Sequence, residues 1–260
     1  MTVTKFLTCG FTQMGISRAR LNRYALLRHK KHREKEGLFL VQGEKAVKDT
    51  LGKFDIETIL CIRPDKHSFL QGIKEIQEVS EGEMRKISTL EKLPEITAVY
   101  RIPKIQPSLQ SEDIKEFSLV LDGIQDPGNL GTIIRTAHWF GIRKIFCSLD
   151  TVDIYNAKVV MATMGSIASV ETIYCDLNEL FALNPNVPAY GLLLEGENLF
   201  AVKDLKPGFI IMGSEGHGPS DETRRHITRG LTIPAADPDD SPDSLNVAIA
   251  TAITLSQILK

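Results

Sequence analysis

No stretch of this 260-residue sequence stays apolar over the roughly 20 residues a helix needs to cross a bilayer. The first 15 residues also lack the apolar segment of a secretory signal, so a cytoplasmic protein without membrane contact is expected. Cysteine is scarce: Cys9, Cys61, Cys147 and Cys175 are scattered with no C-x-x-C pair, which suggests neither a zinc site nor a disulfide framework. His29 and His32 have no further ligand in their segment. The acids Asp237, Asp239, Asp240 and Asp243 are broken up by Pro238 and Pro242 and lack the alternation of a divalent-cation loop, so no metal is expected. Internal repeats, low-complexity segments and the phosphate-binding pattern G-x-x-x-x-G-K-[ST] are absent as well.

A formal net charge of −2 argues against a nucleic-acid partner only on average. Between Ser17 and Lys35 lie Arg18, Arg20, Arg23, Arg28, Lys30, Lys31, Arg33 and Lys35, with Glu34 the one acid, and Tyr24, His29 and His32 are interleaved. This cluster reads as a basic helix and a candidate phosphate-binding face; the alternative is a solvated helix surface.

Three blocks carry the chemistry. In the first, 121–137, an apolar strand 118–121 breaks at Asp126-Pro127-Gly128, and Leu130, Ile133, Ile134, Ala137 and Phe140 recur at helical spacing. A helix is expected to start at Asn129 as its N-cap, with Arg135 two turns in and with Trp139 and Phe140 in or beside the core. The second block, 211–218, reads as a buried strand running into Gly213-Ser-Glu215-Gly-His-Gly218, a loop whose glycines let backbone approach a ligand, with Ser220 capping the next helix. Glu215 is either a solvated loop carboxylate or part of a site. In the third, the strand 231–233 ends at Pro234, and Ser244 opens a largely apolar helix whose first turn holds Asn246. Asn246 either bonds the loop or faces a site.

The chain is long enough for two domains. A short extension, 1–16, precedes a small α/β domain, 17–103, with strands at 38–41 and 57–62 and a helix from Glu44. A proline-containing linker, 104–113, leads into 114–260, where strands and helices alternate, as in a parallel sheet with helices on both faces.

In order, spacing and residue type the three blocks resemble the SpoU (TrmH-like) family of RNA ribose 2′-O-methyltransferases of the SPOUT superfamily. The segment 22–51, with Lys31-His-Arg33, Gly37-Leu-Phe39 and Gly43-Glu44, resembles the ribosomal-protein-like substrate-binding domain of many relatives. The resemblance implies a deep trefoil knot in the C-terminal domain, which topology rules alone would never suggest. It implies a homodimer that uses S-adenosyl-L-methionine to methylate a ribose 2′-hydroxyl in structured RNA, ribosomal RNA rather than transfer RNA. Arg135 would activate the hydroxyl, with Asn129, Glu215, Ser244 and Asn246 completing the polar site, and Gly213, Ile233 and Leu245 would meet the cofactor. The sequence departs from the family where Lys158-Val-Val-Met161 replaces an arginine-containing segment, and where Ala235 and the acidic insert follow Pro234.

Two other classes compete. One is a noncatalytic RNA-binding protein of the same fold. The other is a nucleotide-dependent oxidoreductase, for which Asp150 stands about where a dinucleotide fold keeps its ribose-binding acid, roughly twenty residues after the glycines. Gly123, Gly128 and Gly131 do not form G-x-G-x-x-G.

Overall fold

The computed structural model describes residues 15–104, 109, 116–237, 240 and 242–259. Most of the 1–16 extension with Cys9, most of the linker, and Asp239 lie outside these residues. The chain divides into two compact units, Met1–Pro103 and Lys104–Lys260.

The first unit runs α1 (Arg18–Ala25), α2 (Lys30–Glu36), β1 (Leu38–Gln42), α3 (Glu44–Thr50), β2 (Ile56–Cys61), β3 (Ile76–Glu78), α4 (Glu81–Ile87) and β4 (Ile96–Arg101). Its mixed sheet has the order β1-β4-β2-β3, antiparallel except for the β2/β3 pair. The expected single basic helix is instead two short ones, because a 3-10 turn at Leu26–Arg28 interrupts it. The interruption lets Leu21, Tyr24 and Leu27 all reach one core, with Leu38, Leu40, Met84 and Val99. α2 ends on Gly37, whose φ of 63° turns the chain into β1. Ser80 and Glu83 form a reciprocal capping box that starts α4.

The second unit runs β5 (Ser118–Asp122), α5 (Pro127–Trp139), β6 (Lys144–Cys147), α6 (Ala157–Ala162), β7 (Glu171–Tyr174), α7 (Leu177–Leu183), β8 (Ala189–Asn198), β9 (Phe209–Gly213), α8 (Asp221–Arg224), β10 (Arg229–Thr232) and α9 (Val247–Ile258). All six strands are parallel, in the order β10-β8-β9-β5-β6-β7. Every residue of β5 and β9 is buried, as continuous apolar strands covered on both faces require. From β5 the chain moves outward through β6 and β7, then crosses to β8 and returns to β9 on the other side of β5. A crevice at the carboxyl ends of the strands is where such a reversal places ligands.

Two expected helix starts are corrected. α5 begins at Pro127, with Asp126 as N-cap accepting from the Asn129 N–H at 2.9 Å; Asn129 therefore sits inside the first turn, and its side chain is free for other contacts. α9 begins at Val247, and Asn246 rather than Ser244 is its cap, accepting from Ala248 and Ile249 N–H. Ser220 caps α8 as expected, accepting from Thr223 N–H. Trp139 lies outside the core, 85% exposed, because it falls opposite the buried face of Leu130, Ile133, Ile134 and Ala137. No helix among the described residues is long and apolar enough to cross a membrane.

Candidate active site

The loops after β5 and β9 and the start of α9 meet at one cluster. Asn246 Nδ2 donates to Asn129 Oδ1 at 3.0 Å, and Asn129 Nδ2 donates to Glu215 Oε1. Because the Asn246 carbonyl is occupied by its cap, its amide group is oriented, and that orients Asn129 in turn. Each of the three sequence blocks supplies one member of this chain of side chains. The bland readings of Asn129 as a cap and Glu215 as an unengaged loop carboxylate do not hold. Glu215 Oε2 has no partner among the described residues and so retains its capacity to accept a proton or hydrogen bond.

Backbone and neighbouring side chains hold Glu215 in place. Ser214 and Gly218 exchange both backbone hydrogen bonds, at 3.1 and 2.9 Å, which closes the 214–218 turn. Arg224 fastens it from outside, donating to His217 O and Pro219 O. Asp122 at the end of β5 accepts from Ser220 N–H at 2.7 Å and ties the turn to the neighbouring strand. A side chain on Gly213 would place its Cβ 1.9 Å from Gly218 C and Pro219 N, so glycine is required where the loop folds back. The roles of Asp122 and Arg224, and of Asp126 as the cap of α5, are not among those expected from the sequence. An acid closing each end of the strand-to-helix turn was the signal available for the two aspartates.

Other expected site residues are placed differently. Arg135 is exposed on α5, with no hydrogen bond or ion pair among the described residues. Six residues beyond Asn129, it lies about 120° round the helix and ~9 Å along it, so it does not join the Asn129 cluster within one chain. Ser244 is exposed and outside the helix. Ile233 packs against Tyr190, Leu199, Val202 and Leu231, while Leu245 is half exposed at the entrance of α9.

In the first unit the basic cluster separates into two groups. Arg33 is buried and donates to Leu27 O and Arg28 O, so its assignment as an RNA contact is corrected to a structural one: its charge holds the carbonyl ends of the 3-10 turn. Arg20 is bonded to Gln77 and Tyr24, Arg23 to Glu36 and Glu57, and Arg28 to Ala25 O and Lys86 O. Lys30 lies 3.9 Å from Glu34. Arg18 and Lys31 are exposed and have no partner among the described residues. No group of three potential metal-ligating side chains occurs among those residues.

Among the described residues every cysteine is buried, which disfavours a cysteine nucleophile there. Cys147 and Cys175 lie behind the crevice in β6 and just past β7, and burial pushes both thiols up, Cys175 to about 11.

The SpoU rRNA Methylase family model matches residues 116–256, and an MRM3-like substrate binding domain matches residues 19–98. A 23S rRNA guanosine 2′-O-methyltransferase of Bacillus subtilis, RlmP, is 28% identical over 234 residues, 87% of this chain and 90% of that protein. Among solved structures, a TrmH-family protein from Porphyromonas gingivalis has a TM-score of 0.81 at 33% identity over 94% of this chain and 98% of that one. An AdoMet-bound rRNA methyltransferase from Sinorhizobium meliloti has a TM-score of 0.80 at 27% identity, covering 94% and 95%.

Proposed function

The chain belongs to the SpoU rRNA methylase family, and from that premise we propose that it transfers a methyl group to the ribose 2′-hydroxyl of a guanosine in 23S rRNA. The observation that carries this reading is the Asn246–Asn129–Glu215 chain, which joins the family's three blocks in one polar cluster. An intact cluster disfavours a noncatalytic RNA-binding protein. The tRNA alternative has less support, since the first unit matches a substrate-binding domain and the relative named above acts on rRNA.

The fit to S-adenosyl-L-methionine rests on what surrounds the cluster. Half-exposed Leu245 and Ile249 stand at the entrance of α9, on either side of its cap Asn246. Exposed apolar side chains beside a polar cluster suit an adenosine and its amino-acid tail, with Gly213, Ile233 and Leu245 in the loops that would hold them. The bound group supplies a sulfonium-activated methyl carbon. The chain's own task is to prepare the nucleophile. We assign Glu215 Oε2 to accept the hydrogen of the 2′-hydroxyl, and Asn129 and Asn246 to keep that carboxylate oriented. The Arg135 guanidinium, which offers only donors, binds the oxygen as negative charge develops rather than removing its proton. Ser244 remains a candidate at the rim.

The position of Arg135 supports a homodimer. Arg135 and exposed Trp139 share a face of α5 turned from Asn129 in the same chain, and a second copy can bring that arginine to the cluster. A trefoil knot also belongs to the proposal. The register between β8 and β10 shifts after Gly230, so that Leu231 and Thr232 pair with Glu197 and Asn198; Gly196 lies against the Gly230 backbone, and Leu199 N–H donates to Thr232 O at 2.8 Å. We take the RNA-binding domain as 17–103, with Arg18, Lys30 and Lys31 as its phosphate contacts, the methyltransferase domain as 114–260, and the cytoplasm as its place of work.

Mapping 2′-O-methyl groups in total RNA with and without the protein tests this directly. The product should resist alkaline cleavage at one phosphodiester of 23S rRNA. A substrate with a 2′-deoxynucleotide at the target should accept no methyl group, and methylation of it would overturn the ribose assignment.

A further inference from the structure

An open cleft of about 450 Å³ lies at the carboxyl ends of β5, β6 and β9, and Glu215 forms part of its wall. It therefore adjoins the Asn129 cluster while extending away from it, toward the loop after β6. Three carboxylates line it, and two are engaged: Asp122 by Ser220 N–H and Glu215 by Asn129. The third, Asp150, has no side-chain hydrogen bond or ion pair among the described residues.

Asp150 is nevertheless held in a rigid turn. Gly123 N–H donates to Ser148 Oγ at 2.9 Å, Ile124 N–H to Thr151 Oγ1 at 3.3 Å, and Val152 N–H to Ile124 O at 2.8 Å. Gln125 Nε2 donates to the backbone oxygen of Asp150 itself at 2.6 Å. Tyr174 pins the far side, donating to Val152 O and accepting from Ile154 N–H. The turns after β5 and β6 are thus stitched together on both sides of an exposed carboxylate that has no side-chain partner among the described residues. A Cβ on Gly123 would come 3.4 Å from Asp150 Oδ2 and 3.8 Å from Ser214 Cβ, so the carboxylate and the Glu215 turn face each other across that glycine. Gly123, Gly216 and Gly218 leave parts of the cleft wall as bare backbone, against which a flat ring can lie, between the polar side chains that line the rest.

We propose that this cleft receives the base of the target nucleotide and that Asp150 reads it as guanine. A carboxylate offers two acceptors side by side; the Watson–Crick edge of guanine presents two donors side by side, N1–H and the N2 amino group. Adenine, uracil and cytosine present no such pair. The ribose of a base so held would lie toward Glu215, where the hydroxyl is needed. This inference rests on the methyltransferase reading above and adds the residue that selects the nucleotide.

The test uses the full chain, S-adenosyl-L-methionine and a 23S rRNA fragment whose target has been mapped, carrying guanosine, inosine or adenosine there. Wild type should favour guanosine over inosine, which lacks the N2 amino group, by about tenfold or more. Asp150→Ala should bring guanosine and inosine to equal rates. Asp150→Asn, which accepts once and donates once, should shift the adenosine-to-guanosine ratio toward adenosine by about tenfold or more, since that edge of adenine has one acceptor and one donor. Cofactor affinity of both variants should match wild type. Equal losses on all three RNAs, or unchanged discrimination, would overturn the role of Asp150 while leaving the methyltransferase standing. A wild-type target other than guanosine would overturn it too, and no transfer to any RNA by wild type would overturn both.

Discussion

Asn246 Nδ2 donates to Asn129 Oδ1 across 3.0 Å, joining residues 117 positions apart in sequence. The same Asn246 side chain caps α9 through its oxygen, so one residue both starts a helix and orients the site. The two roles separate by substitution. Asn246→Asp keeps the capping oxygen but sets a second oxygen against Asn129, and methyl transfer should fall at least tenfold with little change in stability. Asn246→Ala loses the cap as well and should cost about 1 kcal/mol in urea unfolding. Equal stability of the two variants would show that the cap contributes nothing.

Arg135→Ala should abolish transfer while leaving folding within about 0.5 kcal/mol, since the exposed side chain has no partner to lose among the described residues. Titrating cofactor into the variant should give wild-type affinity. Loss of affinity in parallel with activity would move Arg135 to the donor side of the reaction.

The strands and blocks were legible because β5 and β9 are uninterrupted apolar runs and the turns after them break sharply. The caps were misplaced by two or three residues. Asp126 and Asn129 are both good caps, and only the Pro127 between them, suited to the first helical position, decides for Asp126. Ser244 and Asn246 posed the same choice without a proline to settle it. Trp139 was misplaced because helical spacing fixes which residues share a face, not where that face ends. Nothing in the sequence told Arg33 from its basic neighbours, since its burial depends on the 3-10 turn that interrupts the helix.

Gly213→Ala should disable the enzyme through its loop rather than through lost contact with cofactor. The added Cβ would meet backbone at 1.9 Å, and backbone cannot turn aside as a flexible side chain does. Both cofactor affinity and thermal midpoint should drop. Gly216→Ala, with nothing within 4 Å, should leave the midpoint unchanged.

Alkaline pH should destabilise the fold between about 9 and 11. Burial raises the thiols of Cys61 and Cys175 from the ordinary 9.0 to about 11, so the unfolded chain loses these protons first. The stability they contribute is whole below pH 9 and is lost as pH rises through 11. Urea midpoints measured across this range should decline, and the Cys61→Ala, Cys175→Ala double variant should decline less.

The two groups within the basic cluster should respond in opposite ways. Arg33→Ala removes a buried guanidinium that satisfies the carbonyls of Leu27 and Arg28, leaving them without that donor inside the first unit. It should cost about 1–3 kcal/mol of stability and affect RNA binding mainly through that loss. Arg18 and Lys31 have no such duty, so the Arg18→Ala, Lys31→Ala double variant should fold as wild type. If both contact phosphate, each removes about one unit from the slope of log affinity against log salt, because each contact releases close to one counterion. Filter binding to a 23S rRNA fragment over a range of potassium chloride concentrations reads both quantities. A double variant with wild-type affinity and an unchanged slope would return these two residues to the solvated surface of the first unit and move the RNA contacts elsewhere on the chain.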